Sequence, residues 1–280
     1  MMTKRAHQIA ALLLAAALGL TACGSSGKED TQSTVTEPAP SDTQQETNTT
    51  PEPPAPVSSL TAPLTGLPVD QEVKQRPIAV SVNNFKAARP QSGLTQADIV
   101  WEVLAEGGIP RLIAVFQSSA FTDPIGPIRS IRPYLIDLAE SYKSVIVHAG
   151  ASNDAYDLLQ HHDKDYLDEI TNAGPYYWRD KTRKAPHNLY SDLTKMREGA
   201  DKKKYATEVT IPTVPFAAEG AGTYDGPAAN IEIKFLLDDY KVSYAYDAAK
   251  ALYMRSINGE PHIDKNNDEQ LSAANVGVLG

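Results

Sequence analysis

The chain has 280 residues, a formal net charge of −9 and one cysteine, Cys23. A single cysteine excludes an internal disulfide framework, so the folded part must rely on a packed core. The acidic balance, without a basic stripe, argues against nucleic acid as a partner.

The chain opens with a basic start at Lys4 and Arg5, an apolar run from Ile9 to Leu20, and small residues before Cys23. That run is too short to span a bilayer as a mature helix, so residues 1–22 read as a signal peptide. Leu20–Cys23, "LTAC", is similar to the lipobox of bacterial lipoproteins. This makes Cys23 the expected lipidation site and the extracytoplasmic face of the cell membrane the expected location. Residues 23–60 are rich in Ser, Thr, Pro, Glu and Gln and nearly devoid of large apolar side chains. Such a segment cannot offset its ordering entropy by burial and is expected to be a disordered tether. Within it Lys28 stands alone against Glu29, Asp30, Glu37, Asp42, Glu46 and Glu52, so the remainder of the chain is near neutral for its size.

From residue 61 the composition becomes globular. Arg76–Asn84 is β-branched and ends in turn formers, Ala97–Glu106 alternates Ile99, Trp101 and Val103, and Arg111–Ser118 is a continuous apolar run; all three predict strands. Leu135, Leu138, Ala139 and Tyr142 follow helical spacing, with Pro133 suited to a first turn. Ser144–Gly150 predicts a buried strand, and Ser152–His162 a helix capped by Ser152 or Asn153. This alternation implies an α/β domain over 61–204 with a mixed, partly parallel sheet. Residues 205–227 read as a Gly- and Pro-containing connector. Residues 228–280 alternate apolar and polar positions, with a turn signal at Asn258-Gly259, and predict a smaller, mostly β module. Its end at "LSAANVGVLG" reads as the opening of a strand with little chain left to pair it, so the module is expected to be truncated.

Arg129 and Arg132 flank the start of the helix at Pro133, where unpaired N–H groups favour anions. Their planar forks suit carboxylate or phosphate, but pairing with Glu102, Glu106 or Asp137 would serve equally well to fix a loop. His148 falls at a strand end, where open α/β sheets gather ligands, or else is a hydrogen-bonded core histidine. Ser152 nearly fits a nucleophile-elbow pattern with Gly150, but Asp154 replaces the last glycine. Ser152 therefore reads as a cap, or as a catalytic candidate with His187 as base. Trp178–Tyr190 gathers Arg179, Lys181, Arg183, Lys184, His187 and Asn188. It reads as a basic loop for an anionic polymer, or as an exposed loop whose His187 and Asn188 cap a helix starting near Ser191. No metal or cofactor is expected: His161 and His162 diverge on a helix, and Asp264, Asn266 and Asp268 lack the glycine and terminal glutamate of a calcium loop.

The ordered run "RPIAVSVNNFKAARPQSGLTQADIVWEVLAEGGIPRLIAVFQS…IGPIRSIRPYLIDLAESY…VHAG", with "APHNLYSD" at Ala185–Asp192 and "YAYDAAKALYMRSINGEPHID" after it, resembles the YerB-like family of bacterial lipoproteins of unknown function. The resemblance implies a lipid-anchored surface protein of two domains and names no reaction. Three functions follow as expectations. The first is binding of an anionic cell-envelope component by Arg129, Arg132, His148, Arg183, His187 and Asn188. The second is an envelope hydrolase or transferase in the same crevice, using Ser152 or His187. The third is a non-catalytic scaffold for a protein partner.

Overall fold

A computed structural model describes residues 60–212, 215–216 and 228–279. The expected signal peptide, Cys23, the tether and most of the connector lie outside the described residues.

The first sheet has the order β2-β3-β1-β4-β5, formed by β1 (Ile78–Asn83), β2 (Ile99–Leu104), β3 (Pro110–Phe116), β4 (Val145–His148) and β5 (Tyr166–Asp168). β1 runs antiparallel to β3 but parallel to β4, which is parallel to β5, so the sheet is mixed. Pro110 opens β3, the position in a strand where a missing N–H costs least. Helix α1 (Pro133–Ser141) has Pro133 in its first turn. Helix α2 (Asn153–His161) is capped by Ser152, whose Oγ accepts from the Ala155 N–H at 3.4 Å. Helix α3 (Leu193–Lys202) is capped by Asp192, which accepts from Lys195 N at 2.8 Å, rather than by His187 or Asn188.

Strand alternation sorts the core into two layers. Val80, Val82, Ala114, Phe116, Val145 and Val147 face α3, meeting Leu193 and Met196. Ala79, Ile113, Val115 and Ile146 face α1 and α2, meeting Leu135, Ile136, Ala139 and Leu159. Each fully buried Leu or Ile contributes roughly 1.5–3 kcal/mol by leaving water, which is how a disulfide-free domain stands.

A ladder of two residues a side, β6 (Trp178–Arg179) with β7 (Leu189–Tyr190), closes the basic loop between them. The C-terminal module is wholly antiparallel. Here β8 (Asn230–Lys234), β9 (Lys241–Asp247) and β10 (Leu252–Ile257) form a meander, and β11 (Glu260–Pro261) and β12 (Ser272–Ala273) share the outer edge of β10. Asn258 and Gly259 both take positive φ, 53° and 84°, in the two-residue turn between Ile257 and Glu260. The module's fully buried apolar cluster is small: Tyr240, Val242 and Ile257. Its attachment to the α/β domain is polar and buried, and that attachment reaches the candidate site.

Candidate anion-binding site

β1 and β4 run parallel through Val80 and Val147. Beyond that point the segment Ile128–Ile131 enters between their carboxyl ends. Arg129 N donates to Ser81 O at 2.8 Å, and Arg129 O accepts from Ala149 N at 3.0 Å. With its backbone bonded to both strands, Arg129 is fixed at the place where open α/β sheets hold ligands. Among the described residues its guanidinium makes no hydrogen bond and no ion pair.

Its charged surroundings are basic. Burial, followed by the charges of Arg129 and Arg132, pushes the Arg111 guanidinium down to about 10. Arg111 donates to Ser130 O and forms no ion pair among the described residues, and the charge of Glu106, which is bound to Arg132, only partly offsets its basic neighbours. His187 is held below the usual imidazole range by burial, then by Arg129 and Arg183. Arg183 spends its donors on carbonyls, Ala88 O at 2.7 Å and Pro90 O at 2.6 Å, so its charge is not neutralised by an acid.

His187 is tightly oriented. Its ring stacks on Phe85, centroids 5.3 Å apart, and its Nδ1 lies 2.9 Å from Asn83 Nδ2. Asn83 Oδ1 accepts from Phe85 N at 3.0 Å, which assigns the amide so that Nδ2 faces the imidazole. Nδ1 of neutral His187 therefore accepts, and Nε2 carries the proton as a donor. Arg129 and His187 together present donors where an anion can sit.

Not every residue singled out in the sequence joins them. Arg132 is bound to Glu106 and donates to Ile131 O at 2.7 Å, realising the ion-pair alternative. Against its own burial, the Glu106 carboxyl is held low by Arg132 and Arg111. His148 is fully buried, because it alternates with Val147 and so points with Ile146 toward the α1/α2 layer. Its Nδ1–H donates to Gly150 O at 3.0 Å, its ring stacks on Tyr166, and its Nε2 has no partner among the described residues. Burial outweighs nearby Asp168 and keeps it neutral. Asn188 shapes the basic loop from inside, donating to Asp180 O and Arg183 O and accepting from Arg179. Ser152 is occupied as a cap, and the acceptor nitrogen of His187 is taken by Asn83. No nucleophile–base pair forms between Ser152 and His187.

Sequence reading missed Arg111, Asn83 and Phe85. Asn83 and Asn84 appeared only as turn formers, and Arg111 only as a strand start. Their roles come from the antiparallel pairing of Asn83 with Arg111, a non-local register. Asn84 turns the other way. Its Nδ2 donates to Glu102 Oε1 at 3.0 Å and to Tyr240 Oη at 2.6 Å, and Glu102 Oε2 pairs with Arg255 at 2.9 Å. Gln91, fully buried, donates to Asn83 O and Asn84 Oδ1 and accepts from His262 Nε2 at 2.6 Å. One strand end thus reaches His187 on one side and the C-terminal module on the other.

These features define a mixed α/β domain with a cluster of basic side chains near its strand ends, braced by an antiparallel β module. Residues 64–206 match the family described as "Protein of unknown function (DUF3048) N-terminal domain", and residues 231–280 match the corresponding C-terminal domain. The chain belongs to this family. It is 35% identical over 223 residues to "Putative lipoprotein YerB" of Bacillus subtilis (strain 168), covering 79% of this chain and 67% of that protein. The crystal structure of the Bacillus subtilis YerB protein superposes with a TM-score of 0.68 at 35% identity, covering 76% of this chain and 72% of that one. The mixed α/β architecture and the antiparallel C-terminal sheet are therefore family features. A relative named as a lipoprotein is consistent with membrane association.

Proposed function

We propose that this protein is anchored through a lipid on Cys23 at the outer face of the cell membrane, and that its α/β domain binds an anionic envelope component. The ligand sits against Arg129 and His187, with Arg111 and Arg183 adding positive potential. The carrying observation is Arg129, whose backbone is bonded on both sides and whose guanidinium is unpaired among the described residues, with basic groups around it. Arg132 is matched by a carboxylate, Glu106, and Arg183 is engaged by two carbonyls. Among the described residues Arg129 has neither, and charge-assisted bonding to phosphate or carboxylate is the chemistry its fork supplies.

The test is binding of a purified poly(glycerol phosphate) teichoic acid to wild type and to Arg129→Ala. Loss of a charged hydrogen bond predicts at least about tenfold weaker binding and a reduced salt dependence. Unchanged affinity in the variant overturns the site. Anchoring is tested by Cys23→Ala, which should leave the membrane fraction or stall in processing; a variant still processed and membrane-bound overturns it.

A further inference from the structure

A second cleft, about 220 Å³, opens where the α/β domain meets the C-terminal module. Its aromatic wall is built by the β6–β7 ladder, which pairs Trp178 with Tyr190 and sets their rings 25° from parallel, centroids 6.4 Å apart. Tyr190 is 2% exposed, yet its hydroxyl has no hydrogen-bond partner among the described residues, and the charges of Arg183 and Asp180 both act on it.

The rim is polar and mixed. Asp180 is pinned by accepting from Thr182 N at 2.8 Å and Thr182 Oγ1 at 2.7 Å, and its other oxygen lies 3.3 Å from Lys265 Nζ. Asn266 Nδ2 donates to Pro124 O at 2.9 Å, which orients the amide and leaves its Oδ1 without a bond among the described residues. Ser92, which also lines the cleft, likewise makes no side-chain hydrogen bond among them. The backbone N–H of Lys265 donates to Gln91 O at 2.7 Å, so this rim is held to the α/β domain.

We infer that this cleft is a subsite for one neutral sugar ring of a glycan, with Trp178 as its stacking platform and Asp180, Lys265 and Asn266 as its hydroxyl partners. The C–H face of a pyranose carries slight positive charge and suits the negative face of an indole. Sugar hydroxyls both donate and accept, and the rim offers a carboxylate, an ammonium, an amide oxygen and a hydroxyl. The volume is below the roughly 300–1,000 Å³ of pockets for drug-sized ligands, so one ring enters and the rest of the chain runs over the surface. A phosphate or carboxylate here would confront Asp180, so this cleft selects the uncharged unit. The subsite uses different residues from the proposed anion site and does not depend on it; the charge of Arg183 acts on both His187 and Tyr190.

The probe is N,N′,N″-triacetylchitotriose, titrated calorimetrically into the full chain and read in parallel by tryptophan fluorescence. Trp101 is the other tryptophan and is bonded to Tyr142, so a Trp101→Phe background leaves Trp178 as the reporter. The expected result is saturable binding with a shift in Trp178 emission, insensitive to salt because the probe is neutral. Trp178→Ala should weaken binding by at least about tenfold, and Trp178→Phe should retain part of it. Asn266→Ala, at an exposed position, should also weaken binding and serves if Trp178→Ala does not fold. Absence of saturable binding to folded wild type, or wild-type affinity in both Trp178→Ala and Asn266→Ala, overturns the subsite. Teichoic acid binding without chitotriose binding would leave the anion site standing and remove this one; the reverse pattern would do the opposite.

Discussion

Removing the Glu102 carboxylate is the most demanding test of how the C-terminal module is held. Glu102 and Arg255 have side chains 11% and 7% exposed and meet at 2.9 Å. Glu102 Oε1 also accepts from Tyr240 Oη at 2.6 Å and from Asn84 at 3.0 Å. Burial alone would lower the Arg255 pKa, but Glu102, Tyr244 and Tyr240 together hold it above the ordinary arginine value. Glu102→Ala leaves that guanidinium charged, buried and without its carboxylate, a change that costs about 3–5 kcal/mol. For a folded unit of this size each kcal/mol moves the midpoint by about 2–4 °C, so a fall of roughly 6–20 °C is expected in thermal unfolding. The module should loosen first, because its own apolar core is so small. Limited proteolysis should then cut between the two domains before the α/β domain unfolds. Pairing Glu102→Ala with Arg255→Met removes both charges and should recover most of the loss. A single-variant cost below about 1 kcal/mol, or a double variant as unstable as the two losses added, would refute this account of the joint.

Acid sensitivity should trace partly to His262. Its Nδ1 accepts from Arg255 Nε at 3.0 Å and its Nε2–H donates to Gln91, so protonation has no room; burial, then Arg255 and Arg89, pushes it down to about 3. The unfolded chain takes up this proton first, so its contribution is complete above about pH 6.5 and is lost toward pH 3 at up to about 1.4 kcal/mol per unit. His262→Gln should flatten that part of a stability–pH profile, and an unchanged slope would remove His262 from the explanation. Inorganic phosphate should raise the His187 pKa, followed by imidazole chemical shifts, because the anion offsets Arg129 and Arg183; a pKa indifferent to saturating phosphate would count against their shared site. Asp264→Ala should cost at least about 2 kcal/mol in urea unfolding, since the buried carboxylate accepts from Gly93 N, Thr95 N, Thr95 Oγ1 and Asn266 N. A smaller loss would mean that water replaces it readily.

What the sequence disclosed follows from how far each signal reaches along the chain. The strands at Ile78–Asn83 and Val145–His148, both central helices and the Asn258-Gly259 turn are written in local periodicity and turn chemistry, and they sit where that chemistry puts them. The site was only partly legible because its outcome depends on distant partners. Arg129 and Arg132 look alike in sequence, yet Glu106 arrives from the β2–β3 connection and takes Arg132 alone. His148 was open between crevice and core until the sheet had a helix-covered face for it to enter. The joint between the domains was not legible at all. Its members, Asn84, Gln91, Glu102, Tyr240, Arg255 and His262, come from six separate places and carry no shared motif.

The strand end at Asn83 and Asn84 has a consequence for genetics. Successive residues of a strand point to opposite sides, and here one codon addresses the imidazole of His187 and the next addresses the carboxylate of Glu102. Substitutions in adjacent codons should therefore fall into separate phenotypic classes, ligand capture at 83 and module attachment at 84. A saturation library confined to this dipeptide would tell whether the two traits are inherited together or come apart.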